Sequence, residues 1–102
     1  MGTAPEFDHA ISEAIRAHAM TFPQAGEGSS CVNRAFSAGG KNFVFLGEKA
    51  DLCTLRLKLA DGWQKIEFAP DEAPPLADIQ AWITESFFLL APKKVQALHT
   101  EA

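Results

Sequence analysis

Arg56, Lys58 and Lys65 lie in two neighbouring apolar runs, Leu52–Ala60 and Trp63–Phe68, with Trp63 between them. On a β-ribbon, residues two apart share a face. Cations grouped on one face suit phosphate oxygens, and an indole beside them suits stacking on a nucleobase. The plainer expectation is a solvated sheet face relieved by Glu67, with Trp63 capping the core. A second polar cluster runs Glu27-Gly28-Ser29-Ser30-Cys31-Val32-Asn33-Arg34. A nucleophile here would be Ser30 or Cys31 with Glu27 as base, but no suitably placed histidine accompanies them. Loop capping by the serines, with Glu27 pairing Arg34 or Lys41, fits the residue types better. Arg34 lying over Phe45 as a cation–π pair is an alternative.

Histidine offers no site by spacing. His9 and His18 are about 900° apart around a helix, hence on opposite faces, and His99 lies in the C-terminal stretch. Cys31 and Cys53 form no CxxC pair and are expected to be free thiols. The chain has no G-x-S-x-G elbow, P-loop or dinucleotide fingerprint. No cofactor or metal is expected, and no catalytic residue is assigned. The formal charge is −4 and the pI about 5.2, so the overall field repels nucleic acid and any binding needs a local basic patch. The longest apolar run, Phe87–Ala91, is too short to span a bilayer, and the first residues lack a basic-then-apolar leader. A cytoplasmic protein is the expectation.

The elements that must position these residues follow from patterning. Gly39-Gly40 and Asp61-Gly62 read as two-residue hairpin turns. A turn at Asp61-Gly62 opposes Leu57 to Ile66, Leu55 to Phe68 and Leu59 to Gln64. On the other side it opposes Arg56 to Glu67 and Lys58 to Lys65, a like-charge pair that would favour an anionic partner. A turn at Gly39-Gly40 opposes Phe36 to Phe43, Ala35 to Val44 and Arg34 to Phe45. The result is a four-stranded antiparallel meander over Asn33–Phe68. An N-terminal helix is expected to end near Met20, with a Thr3/Glu6 capping box and an apolar face of Phe7, Ile11, Ala14, Ile15 and His18. Pro23–Ser30 reads as a loop. Pro74-Pro75 starts a helix with the stripe Leu76, Ile79, Ile83, Phe87 and Leu90, and a short helix follows over Pro92–Leu98 with a fraying tail. At 102 residues this is one α+β domain, its helices packed on one face of the sheet.

The order Phe22-Pro23, Glu27, Phe36, Gly40-Lys41, Phe43, Lys58, Trp63, Ser86 and Pro92-Lys93 resembles the MmcQ/YjbR family of small bacterial proteins, over roughly residues 10–94. The resemblance implies an α+β domain with a double-wing-like architecture and the DNA-binding label that the family often carries. Two departures stand out. Longer members insert a helix where this chain has only Ala60-Asp61-Gly62, and Phe87 stands where the family commonly has Tyr. On this basis the chain is expected to be a non-enzymatic binding protein that engages DNA weakly through Arg56, Lys58, Lys65 and Trp63. The alternative is a small protein- or ligand-binding adaptor using Glu27, Arg34 and Lys41.

Overall fold

The computed structural model describes residues 9–30 and 33–101. Helix α1 spans Ala10–Ala19, and five strands follow: β1 Ala25–Ser30, β2 Asn33–Ala38, β3 Lys41–Glu48, β4 Cys53–Leu59 and β5 Gly62–Phe68. A 3-10 turn at Pro70–Glu72 leads to α2, Leu76–Leu90, and α3, Lys93–Glu101, ends the described chain. The strands pair antiparallel in the order β1-β2-β3-β4-β5, a meander with β1 and β5 as its outer strands among the described residues. Helix α2 packs on β3 and β4, with α1 beside it. The fold is thus α+β with helices on one face, as the patterning predicts, but with one strand more.

The additional strand is β1. Its sequence, Ala-Gly-Glu-Gly-Ser-Ser, has low strand propensity, yet every residue from Ala25 to Ser30 is paired with β2. An edge strand needs only its backbone on one side to be satisfied, so β2 can impose the conformation that the side chains do not prefer. Helix α1 buries Ser12, Ile15 and Ala19, a face rotated from the expected one, with Ile11 partly buried beside it. Ser12 is small enough to let the helix approach the sheet, and its Oγ lies 3.6 Å from Cys53 Sγ. The Thr3/Glu6 cap, Phe7 and Cys31 lie outside the described residues. Cys53 is a buried free thiol. Helix α3 runs through His99, whose ring packs tilted against Phe22 and Phe87 at 5.0 and 5.4 Å and edge-on against Phe88 at 5.4 Å, where a frayed tail was expected.

The β4–β5 register differs from the expected one by two residues. Leu59 pairs with Gly62, so the turn residues are Ala60 and Asp61, and Gly62 enters β5 at φ +115°. Glu85 Oε2 on α2 accepts a 2.7 Å hydrogen bond from the Ala60 N–H, which ties the turn to the helix. A slip of two keeps every side chain on its face, so Leu55, Leu57 and Phe68 still point into the core. The opposed pairs change: Arg56 faces Lys65, Thr54 faces Glu67, and Lys58 faces Trp63.

The β2–β3 hairpin turns at Gly39-Gly40 as expected, both at positive φ. A bulge between Phe36 and Ser37 then shifts the pairing by one, opposing Phe36 to Val44, Ala35 to Phe45 and Arg34 to Leu46. Arg34 therefore faces the helices and Phe45 does not, which removes the alternative of a cation–π pair between them. At the same level β3 leaves β4: their pairing stops at Val44–Leu57. The fully buried Ser86 hydroxyl on α2 takes up the two backbone groups beyond it, accepting from Lys58 N–H at 3.0 Å and donating to the Phe43 carbonyl at 2.6 Å. Both Phe43 and Val44 are then buried in the core. Phe87, the next residue of α2, stacks on Phe22 at 4.6 Å and meets Phe43 edge-on at 5.8 Å.

Candidate nucleic-acid interface

Alternation along the ladder sorts the sheet into two faces. The core face carries Phe36, Val44, Leu46, Leu55, Leu57 and Phe68, under α1 and α2. The opposite face carries a row running Gly28, Ala35, Phe45, Arg56 and Lys65 across all five strands. The next row holds Asn33, Gly47, Thr54 and Glu67, and on the other side Lys58 stands opposite Trp63. Arg56, Lys65 and Glu67 are exposed, and Lys58 is partly so.

Trp63 is 48% exposed, so it does not cap the core as its residue type suggests. Its indole lies against the Phe45 ring, centroids 5.9 Å apart and planes tilted 49°. A depression of about 380 Å³ beside the pair is lined by Asn33, Phe45, Arg56 and Trp63. Asn33 also borders a second depression of about 320 Å³, with Gly47 and Thr54. The Asn33 side chain lies where a Cβ on residue 47 would stand, so glycine at that position makes room for the amide. Patterning alone assigns no role at this surface to Asn33 or Phe45.

Arg56 and Lys65 are the like charges that face each other, in place of Lys58 and Lys65. Glu67 offers Lys65 an ion pair at 3.7 Å, with both side chains about half exposed. Such a pair is worth little in water, so it leaves the three cations available to another anion.

Of Glu27, Arg34 and Lys41, the first two pair as expected and Lys41 does not join them. Glu27 sits on β1 and faces the helices, where Arg16 Nε of α1 donates to its Oε1 at 3.0 Å and Arg34 Nη1 donates to its Oε2. The Glu27 carboxylate raises the Arg16 pKa against the opposing effect of burial. Lys41 stands exposed by the Gly39-Gly40 turn, opposite Ala38, and shares no ion pair with them. Arg16, which lies outside the expected apolar stripe, is the partner that patterning missed; eleven residues separate it from Glu27. The cluster joins α1 to the sheet edge, and both oxygens of the candidate base are already occupied by arginines.

Other reactive groups are built into the core. Burial pushes the Cys53 thiol pKa up, against the Ser12 hydrogen bond, which disfavours the thiolate. No group of three or more His, Cys, Asp or Glu side chains is placed to hold a metal among the described residues. His18 meets Phe22 edge-on at 5.3 Å, with its Nε2 3.4 Å from Thr84 Oγ1. Its pKa is lowered from 6.5, first by burial and further by His99, with a hydrogen bond to the Gln80 backbone opposing. A depressed histidine stabilises the fold above its unfolded pKa and loses that contribution as pH falls through the folded value. Thermal melts between about pH 5 and 8 are expected to show a falling midpoint below pH 6.5, and His18→Gln is expected to flatten that fall.

The fold and this surface define a small α+β sheet module with one face left open by its helices. No described helix is long and apolar enough to cross a membrane. A comparison of the chain with known protein families, with curated proteins and with solved structures finds no match.

Proposed function

We propose that this chain is a non-enzymatic cytoplasmic binding module that engages DNA weakly through the open face of its sheet. The observation that carries the proposal is that Arg56, Lys58, Lys65 and a half-exposed Trp63 share the one face that α1 and α2 do not cover. Among the described strand residues of that face, three cations stand against the carboxylate of Glu67, so the face is locally positive on a chain of charge −4. The ordered resemblance to the MmcQ/YjbR family, with its DNA-binding label, points the same way, and membership of that family is part of the proposal. The adaptor alternative loses support because Glu27 is saturated by arginines and Lys41 stands apart.

The test is the salt dependence of binding. Three phosphate contacts are expected to give a slope of log affinity against log salt of about −3, from roughly −0.9 per contact on duplex DNA. Changing Lys58 and Lys65 together to Gln is expected to remove about two units of that slope. Thermal melting should show the double variant folded, because neither side chain is in the core. Wild-type protein that binds no DNA even at low salt would sink the proposal.

A further inference from the structure

We infer that the strand taken by this face is single-stranded DNA with its bases unstacked, not a duplex; the inference rests on the reading of the open face as a DNA site. The major groove is about 12 Å wide and admits a helix or a two-stranded ribbon. The row Gly28, Ala35, Phe45, Arg56, Lys65 crosses five strands, roughly 19 Å at about 4.8 Å between strands. A sheet that wide cannot enter the groove flat, and neither α1 nor α2 is on this side to do so.

The same geometry suits a splayed strand. Trp63 presents half its surface to solvent while Phe45 backs it from the neighbouring row, which makes a supported aromatic platform. Bases offer such a ring their π-face only when they leave the duplex stack. The depression beside the platform adds the Asn33 amide and the Arg56 guanidinium, groups that hydrogen-bond base edges or phosphate. Lys58 lies directly across from Trp63, and Lys65 two residues further along the same strand, so cations flank the ring where the backbone of a stacked nucleotide would run. Over β1–β3 the outward positions Gly26, Gly28, Ala35 and Gly47 are small, with Ser37 and Asn42 beside Gly26 toward the hairpin end.

The experiment is fluorescence anisotropy at low salt with labelled oligothymidylate, a labelled duplex of equal length, and heparin as competitor. Oligothymidylate is expected to bind about tenfold or more tighter than the duplex. Trp63→Ala is expected to weaken oligothymidylate binding about tenfold and duplex binding little, while Trp63→Phe stays within a few-fold of wild type. Trp63→Phe keeps the test open if Trp63→Ala fails to fold. Equal or tighter duplex binding would overturn the single-strand inference and leave the DNA reading standing. A folded Trp63→Ala that binds like wild type would overturn it in the same way, as would heparin competing as well as unlabelled oligothymidylate. Absence of binding to both oligonucleotides would overturn the inference together with the proposed function.

Discussion

Phe87→Ala is expected to cost about 3–5 kcal/mol, a large share of the stability of a domain of this size. Phe87 is fully buried and sits at the meeting point of every layer. It stacks on Phe22 from the α1–β1 connection, meets Phe43 of β3 edge-on, and touches Phe88 and His99 at 5.0 and 5.4 Å. Removing the ring opens a cavity bordered by elements that are each held by another contact, so collapse around it is limited. His99 would lose a ring that anchors α3, and the end of that helix should loosen with the core. The midpoint of thermal unfolding is expected to fall by more than about 12 °C, at roughly 4 °C per kcal/mol or more. Phe87→Leu, which keeps most of the volume, should lose much less. A midpoint for Phe87→Ala within a few degrees of wild type would show that the aromatic cluster does not organise the core.

What was legible in the sequence follows physical period. Leu55, Leu57 and Phe68 alternate strictly with charged or polar residues, and a period of two names the core face whatever the register. The middle of the α2 stripe was legible for the same reason at helical period: Ile79, Ile83 and Phe87 are buried as expected, while Leu90 is partly buried and Leu76, in the first turn, is exposed. The register itself was not legible, because side-chain alternation is the same for registers two residues apart; in the fold the turn falls at Ala60-Asp61, with the Ala60 N–H bonded to Glu85, twenty-five residues away. Strand β1 was hidden because glycine and serine carry no strand signal, and its conformation comes from its neighbour. At the site, the grouping of Arg56, Lys58 and Lys65 on one face could be read from alternation, but the exposure of Trp63 could not. Alternation places Trp63 on that face with Lys65, but it does not say how far a neighbouring ring such as Phe45 will cover the indole. The Arg16–Glu27–Arg34 cluster illustrates the same limit: both arginines reach one carboxylate from different elements.

Ser86→Ala is expected to destabilise the fold by about 2–4 kcal/mol, although it removes a single oxygen. The hydroxyl is fully buried and makes two hydrogen bonds, accepting from Lys58 N–H at 3.0 Å and donating to the Phe43 carbonyl at 2.6 Å. Those groups belong to the first opposed pair beyond Val44–Leu57, where the β3–β4 ladder ends, so Ser86 stands in for a missing strand-to-strand bond. Alanine would leave a donor and an acceptor without partners under α2, each costing about 1–3 kcal/mol if water cannot reach it. Partial closure of the two strands would recover some of this, but only by moving Phe43 out of its contact with Phe22 and Phe87. Ser86→Thr keeps the hydroxyl and adds a methyl group to a closed site, so it is expected to be destabilising through overpacking while preserving both hydrogen bonds. Amide hydrogen exchange separates the two effects. In Ser86→Ala the Lys58 amide should exchange faster by more than the global loss of stability accounts for, whereas in Ser86→Thr it should follow the global change. Lys58 also sits on the proposed DNA face directly opposite Trp63, so loosening this joint should weaken oligothymidylate binding even though Ser86 lies on the far side of the sheet. A Ser86→Ala protein with wild-type melting and a protected Lys58 amide would mean that the strands close the gap unaided.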